Sequence, residues 1–528
     1  MIARFLSIEG GALAVSEPDA NGVRAYKGVP YAAPPLGHLR WRPPQPVPPW
    51  AGVRPVSAFG PNSLQGVVFD DIDPRPAGIS EDCLYLNIWT PAAPNDGARL
   101  PTMVWIHGGG FVVGSGAEPR YDGAHLAARG ILVVTLNHRL NALGFLAHPE
   151  LTAESEHRAS GNCGMLDLVA ALGWVKRNIA AFGGNPDVVT IAGESAGSEA
   201  ASALMASPLA KGLFARVIGE SGAMFASPSR SPASLAKAEA AGLDFMRKAG
   251  AKTLAGLRAA PAEAILAAAP GLGYRPIVDG WFLPRSPAEI FAAGEQSNAP
   301  LMAGWNKDEG FNFTLMPDKE AKRSYADLVR ALFGDRAEEA LRHYPAGSPE
   351  RDAASARALG GDLTIIHPTW AWIEAQKRSG GADIFRFRFD RAPLTPQGWF
   401  GQRLSRDAGA FHAGELLYVF DNLHAFPWLI DDADRALARL APSYWINFVK
   451  TGDPNGPGLP HWPSYRSADA PVMALAEPAS AGPEEGRERH IFLQEVVSAR
   501  RNFPLPPGEG MRTPDPSLPQ GPHAVSRA

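Results

Sequence analysis

Short, unbroken apolar runs, separated by glycine-rich loops and longer helical stretches, set the pattern of this chain. "TMVWI" after Pro101 and "ILVVTL" after Gly130 look like strands covered on both faces of a mostly parallel sheet. Leu84, Leu86 and Ile88 alternate with Tyr85, Asn87 and Trp89, the period-two signature of a strand. Met165 to Phe182 reads as a helix, stopped by Gly183 and Gly184 with Pro186 just beyond. Val188 to Gly193 predicts another buried strand, followed by a small-residue helix from Ser195 onward, and "ARVIGESG" a further strand. "APLMAGW" and "ADIFRFRFD" read as later strands of the same sheet. Ala124 to Arg129, Ala321 to Phe333 and Asp434 to Lys450 read as helices. The Ala-rich stretch from Ser231 to Pro270 is also helical, with Ser231 and Pro232 as cap and first helical position. Strands alternating with helices in this way predict an α/β sheet covered on both faces.

Two segments break the pattern. Tyr26 to Trp50 carries too many prolines for a helix or a central strand and is expected to be an extended, ordered surface wrap. Beyond Phe503 apolar periodicity stops. Residues 1–503 are therefore expected to form one domain and 504–528 a disordered, Pro-rich tail.

Composition narrows the function. Over 528 residues, 50 Lys and Arg face 54 Asp and Glu for a net charge of -4, without the basic excess of a nucleic-acid binder. Fifty-five glycines and 50 prolines mean many turns and long surface connections. Cys83 and Cys163 are the only cysteines, which excludes a disulfide scaffold and a Cys-rich zinc site. The N-terminal "FLSI" is shorter than the roughly 7–15 residues of a signal-peptide core. No run reaches the roughly 18 apolar residues of a membrane span. The expected location is the cytoplasm.

Chemistry concentrates at two loops. Gly193-Glu194-Ser195-Ala196-Gly197 directly follows a predicted strand and opens a predicted helix, which puts Ser195 on a sharp turn with its hydroxyl pushed out above the sheet. His107-Gly108-Gly109-Gly110-Phe111 follows "TMVWI", and its glycines let backbone N–H groups approach one point as an oxyanion hole, together with the N–H of Ala196. Phe111-Val112-Val113 is wrong for a phosphate loop, which wants Lys and Ser or Thr there. A serine nucleophile needs a histidine base and a carboxylate to orient it. Seven histidines follow Ser195, and spacing does not choose among them. Context favours His412, in a Gly/Ala-rich loop before an apolar segment. Asp308 and Glu309 end an apolar strand, where α/β sheets carry their catalysts, and nothing in the residues themselves chooses between them.

At this point the chain resembles the type-B carboxylesterases, the α/β-hydrolase branch that includes bacterial and liver carboxylesterases, some fungal lipases and the cholinesterases. The likeness runs through "YKGVPYAAPPLGHLRW", "SEDCLYLNIWTP", "VWIHGGGF", "NHRLNALGFL", "VTIAGESAGS", "LFARVIGESG", "AGWNKDEG", "GAFHAGEL" and "INFVKTGDPNG", in family order from about Gly10 to about Phe503. The resemblance implies an α/β-hydrolase fold, with a large, mostly parallel central sheet, helices on both faces and long loop insertions. It implies Ser195 as nucleophile, Glu309 rather than Asp308 as acid, His412 as base, and Gly109, Gly110 and Ala196 as oxyanion donors. It pairs Arg40 with Glu81 and Arg139 with Asp167 as loop-pinning ion pairs. The family often bridges the cysteine of its "EDC" block to an earlier cysteine; Ser63 stands in the partner position here, so Cys83 is expected to be a free thiol. The same loop lacks the tryptophan that stacks on choline in cholinesterases.

The activity so implied is hydrolysis of neutral carboxylic esters of short to medium acyl chain through an acyl-enzyme, with no metal or organic cofactor, by a monomer or homodimer. Activity should fall as His412 becomes protonated, at roughly pH 6–7. Phe111 is expected to line the substrate pocket and Glu194 to tune the base. Trp370, Trp372, Trp399 and Phe400 are weighed as gorge walls and read rather as core. The acidic run Asp70, Asp71, Asp73 is read as a solvated rim rather than a gate against anions. Two competing readings stay open: an interfacial lipase, and a catalytically silent binding protein on the same fold.

Overall fold

Ten described strands form one mixed sheet, and its topology brings the two glycine-rich loops together. In chain order the strands are β1 (Arg24–Pro30), β2 (Tyr85–Thr90), β3 (Leu100–Ile106), β4 (Leu132–Leu136), β5 (Gly184–Glu194), β6 (Arg216–Glu220), β7 (Leu301–Asn306), β8 (Ile384–Phe389), β9 (Val472–Leu475) and β10 (Ser480–Gly482). Across the sheet they run β10-β9-β8-β7-β6-β5-β3-β4-β2-β1. From β4 to β9 every neighbouring pair is parallel; β1 and β2 at one end and β10 at the other are antiparallel. The computed structural model describes residues 5–499 apart from 67–77, 95, 270–272, 317–322, 396–405, 426–428 and 468. The expected tail, the Asp70–Asp73 run, Trp399 and Phe400 lie outside the described residues.

Period two does not separate core from solvent here. It separates two cores. On β2, Leu86 and Ile88 join one buried cluster and Trp89 another; on β3, Val104 and Ile106 face the first, Met103 and Trp105 the second; on β4, Val134 and Leu136 oppose Val133. Both faces of the central strands are therefore dry, which is why their apolar runs are unbroken. The first face is covered by α1 (Cys163–Asn178) and α2 (Ala196–Ala206), the second by α7 (Asp432–Thr451), whose Leu437, Trp445 and Phe448 pack into it. A third cluster unites α4 (Tyr325–Phe333), α5 (Pro349–Gly361) and α8 (Arg487–Ala499).

Several boundaries differ from the sequence reading for identifiable reasons. The Ala-rich stretch begins its helix α3 (Leu235–Lys248) at Ser234, whose side chain accepts from the Lys237 N–H, so Ser231-Pro232 is not the cap. Helix α4 starts at Tyr325 rather than Ala321, because Ser324 and Asp327 form a reciprocal capping box. Asp431 and Asp434 do the same for α7. The Pro-rich segment is not all surface: its first part is the edge strand β1, and Tyr26, Val29 and Tyr31 are buried. An edge is where a sheet tolerates such prolines. Arg40 meets Glu81 at 2.5 Å and Arg139 meets Asp167 at 2.6 Å, both buried. Cys83 and Cys163 are free and buried. Trp370 and Trp372, on α6 (His367–Ser379), are core residues; Trp372 packs over Gly219 of β6. Among the described residues no helix is long and apolar enough to cross a membrane.

From β3 the chain crosses to β4 on one side and later returns to β5 on the other. The carboxyl ends of β3 and β5 thus flank a topological switch point, where α/β sheets leave a crevice for ligands.

Candidate active site

Strand β5 ends at Glu194 and helix α2 starts at Ala196, which leaves Ser195 alone in the turn at φ 54°, ψ −119°. A positive φ strains a residue with a side chain, and the neighbours hold it there. The Ser195 N–H donates to Glu220 O of β6 at 2.8 Å, and Ser195 O accepts from Glu199 N–H at 2.9 Å. The turn is this sharp because strand and helix meet backbone to backbone. A Cβ on Gly197 would lie 2.0 Å from Ile106 O.

The loop after β3 stands opposite. Gly109 has φ +107°, and a Cβ there would sit 2.1 Å from Val113 O. Gly109 O accepts from both Val112 and Val113 N–H groups at 3.1 Å, which tightens the loop. The amides of Gly109, Gly110 and Ala196 have no acceptor among the described residues. His107 places Nδ1 2.7 Å from Gly108 O and stacks on His138 at 5.0 Å. Burial pushes His107 down to about 3, so the ring is neutral and braces the loop by donating from Nδ1. Phe111 is buried beneath the loop and packs edge-on against Phe145 at 5.2 Å.

The acid comes from the turn after β7. Glu309 is fully buried; Oε1 accepts from Asn306 N–H at 2.9 Å and Oε2 lies 2.6 Å from His412 Nδ1. Asp308 is occupied elsewhere: its Oδ2 accepts from Ala410 N–H at 2.8 Å and holds the loop that carries His412. His412 packs edge-on against Phe313 at 5.0 Å. In this resting structure its Nε2 lies 3.2 Å from Glu194 Oε1, and Ser195 Oγ has no hydrogen-bond partner among the described residues. Histidine and acid are thus already engaged, whereas histidine and serine are not. Ser195, Gly109, Gly110 and His412 are half-buried amid buried neighbours.

Two further buried carboxyls, missed in the sequence, extend the acidic group: Glu415 acts on His412, and Glu220 on Glu194 and Glu415. Glu220 is fully buried, pairs in register with Glu194 and accepts from Trp445 Nε1 at 2.8 Å. Glu415 is fully buried and accepts from Asn306 Nδ2 at 2.5 Å. Burial pushes Glu415 up to about 7 and Glu220 well above the carboxylate range. Burial likewise raises Glu194. For His412 burial works toward a lower value, but Glu194 and Glu309 outweigh it and the ring is raised. The available signal was an isolated acid inside an apolar run, in "RVIGESG" and in "HAGELLYVF". A polar cavity of about 640 Å³, lined by Trp305, Asp308, Arg357 and Arg386 among others, includes neither Ser195 nor His412.

Residues 6–492 match the family model described as the carboxylesterase family. The chain is 37% identical to fumonisin B1 esterase of Sphingopyxis macrogoltabida over 84% of this chain and 82% of that protein. It is 36% identical to para-nitrobenzyl esterase of Bacillus subtilis over 89% and 95% of the two. Among solved structures, a PNB esterase superposes with a TM-score of 0.78 at 35% identity, covering 93% of this chain and 99% of that one. A carboxylesterase from Geobacillus stearothermophilus gives 0.79 at 36% identity, covering 92% and 99%.

Proposed function

Since the chain belongs to the carboxylesterase family, has the α/β-hydrolase fold and is a carboxylic ester hydrolase, we propose that Ser195, His412 and Glu309 are its nucleophile, base and acid. Gly109, Gly110 and Ala196 form the oxyanion hole, within one domain over residues 1–503. The observation that carries this reading is the 2.6 Å contact from His412 Nδ1 to Glu309 Oε2 beside a serine held at φ 54°.

The ester carbonyl oxygen takes the three open amides. His412 turns Nε2 from Glu194 to Ser195 Oγ and accepts its proton as Oγ attacks the carbonyl carbon. Glu309, fixed by Asn306, holds the imidazole tautomer and stabilises the imidazolium. The tetrahedral oxyanion collapses, His412 gives its proton to the leaving alkoxide, and an acyl-enzyme remains. Water, deprotonated by the same Nε2, releases the acid. Phe111 supports the pocket from below. Short to medium acyl chains are the expected substrates. Two buried free thiols support a reducing compartment, the cytoplasm, as its location.

A fluorophosphonate probe tests the assignment. It labels the wild type and not Ser195→Ala; labelling that persists in the variant, or never occurs, overturns it. Faster turnover of emulsified long-chain triglyceride than of soluble short-chain ester would favour the lipase reading instead.

A further inference from the structure

The mechanism asks one movement of the base: Nε2 must leave Glu194 for Ser195 Oγ while Nδ1 stays on Glu309. The loop that bears His412 has no regular structure to hold its backbone during that movement. Residues 406–415 contain no strand or helix, and Gly409 and Ala413, on either side of His412, have φ 66° and 64°. A positive φ at a residue with a side chain persists only where its surroundings impose it.

The segment that carries the acid supplies the support. Asp308 N–H donates to Ala410 O at 3.0 Å, and Asp308 Oδ2 accepts from Ala410 N–H at 2.8 Å. These paired bonds form a latch between the residue just before the acid and a residue just upstream of the base. Asn306 Nδ2 donates to Phe411 O at 2.7 Å, and Asn312 Oδ1 accepts from His412 N–H at 3.3 Å. The backbones of Ala410, Phe411 and His412 are thus each held by the acid segment. The Asp308 carboxylate is pressed against the loop: a Cβ on Gly409 would lie 2.3 Å from Oδ2. The acid turn is itself wedged on α5, where a Cβ on Gly310 would lie 1.8 Å from Arg357 O and one on Gly361 2.7 Å from Gly310 N. The base loop therefore hangs from a turn that is fixed backbone to backbone.

We propose that Asp308 is a positioning residue: its latch to Ala410 carries acid and base as one unit, so that His412 reaches Ser195 by rotation of its side chain over a backbone that stays in place. The proposal rests on Ser195, His412 and Glu309 being the nucleophile, base and acid. The Asp-Glu pair then divides its work. The second carboxylate orients the ring, and the first holds the chain that bears the ring. Distance is what the latch controls. Nδ1 lies 2.6 Å from Glu309 Oε2 and Nε2 3.2 Å from Glu194 Oε1. A loop drift of about 1 Å spoils these contacts and the approach to Oγ, a misplacement that can cost about 10² in rate. A carboxylate suits the task because a charged acceptor makes a shorter and stronger bond to an N–H than a neutral one does.

Asp308→Ala and Asp308→Asn test this on p-nitrophenyl acetate, with rates expressed per site counted by fluorophosphonate labelling carried to completion. Asp308→Ala removes the acceptor, so kcat should fall about tenfold or more with KM nearly unchanged, because no substrate contact is lost. Asp308→Asn keeps an acceptor oxygen of the same reach and should restore most of the rate. The losses should also be non-additive: in a Glu309→Gln background, where the ring has lost its partner, Asp308→Ala should slow the enzyme much less than it does alone. A wild-type kcat per labelled site in Asp308→Ala, even at a lower denaturation midpoint, means a purely structural bond and overturns the proposal. Additive losses, or Asp308→Asn no faster than Asp308→Ala, overturn it too. Should Asp308→Ala fail to fold, Asp308→Glu takes its place. It keeps the charge but is one methylene too long for the space beside Gly409, so it must be slower than Asp308→Asn; equal rates overturn the proposal. Normal labelling of Ser195 with an unmoved kcat sinks the latch alone, while absent labelling of the wild type sinks the nucleophile assignment as well.

Discussion

At the scale of single residues, the base is governed by which carboxylates face it. Glu309 bonds to Nδ1 and is itself held by Asn306 N–H, so it orients the ring. Replacing Glu309 by Gln keeps the shape but loses the charge and the tautomer control; kcat should fall by about 10³–10⁴ with KM nearly unchanged, as initial rates would show. Glu194 acts on the other nitrogen, 3.2 Å away. Its charge and that of Glu309 raise the folded pKa of His412 despite burial. A base with a raised pKa is neutral only above that raised value, so the acid limb of kcat/KM should lie above the ordinary histidine value of about 6.5 rather than at pH 6–7. Glu194→Gln takes one carboxylate away and should move the limb to lower pH. A pH–rate profile that stays in place in the variant would mean that Glu194 does not share the proton. These carboxyls were only half legible. Glu194 stands inside the Gly-x-Ser-x-Gly signature, but Glu220 and Glu415 lie in apolar runs, where nothing local says that they join one buried acidic group.

At the scale of elements, loops of fixed backbone shape do what no side chain could. Gly109 combines φ +107° with a carbonyl 2.1 Å from where a Cβ would stand, so the loop after β3 can present its amides only with glycine there. Gly109→Ala must shift the loop, and loss of one aligned oxyanion donor costs about 10²–10³ in kcat. The variant should keep the wild-type far-UV circular dichroism, because the change is confined to a half-buried loop. Strand, turn and helix around Ser195 were readable because each is a local pattern: a buried apolar run, a glycine pair and a small-residue helix. Helix starts were read less well. Ser231-Pro232 has the composition of a cap, but the chain there is in an isolated bridge pairing near Ser234, and Ser234 takes the capping role. Choosing Ser234 over Ser231 needs the bridge partner Val278, and partner identity is a tertiary fact. The same holds for β1, whose prolines suit an edge that only the assembled sheet defines.

For the whole molecule, the question is what keeps a loop-rich chain from loosening around its site, and buried ion pairs at the loop bases carry much of that work. Arg139 follows β4 and grips Asp167 of α1 through Nε at 2.8 Å and Nη2 at 2.6 Å, while Nη1 donates to Arg42 O in the Pro-rich wrap. One guanidinium therefore ties three segments that are distant in sequence. Arg40 does the same for Glu81 and the carbonyls of Arg258 and Ala260. Both pairs are nearly inaccessible to water, so removing one partner leaves a bare buried charge, and that costs about 3–5 kcal/mol, far more than an exposed pair. Arg139→Met should lower the unfolding free energy by that amount, read from the shift of the denaturation midpoint. The double variant Arg139→Met with Asp167→Leu should recover part of it, because no lone charge is then stranded. The pairs lie outside the proposed chemistry, so the fraction of Arg139→Met that still folds should turn over ester at the wild-type rate per fluorophosphonate-labelled site. A double variant no more stable than the single one would show that Asp167 is satisfied without Arg139. A reduced rate per labelled site would show that the clamp shapes the catalytic loops and does more than hold the fold.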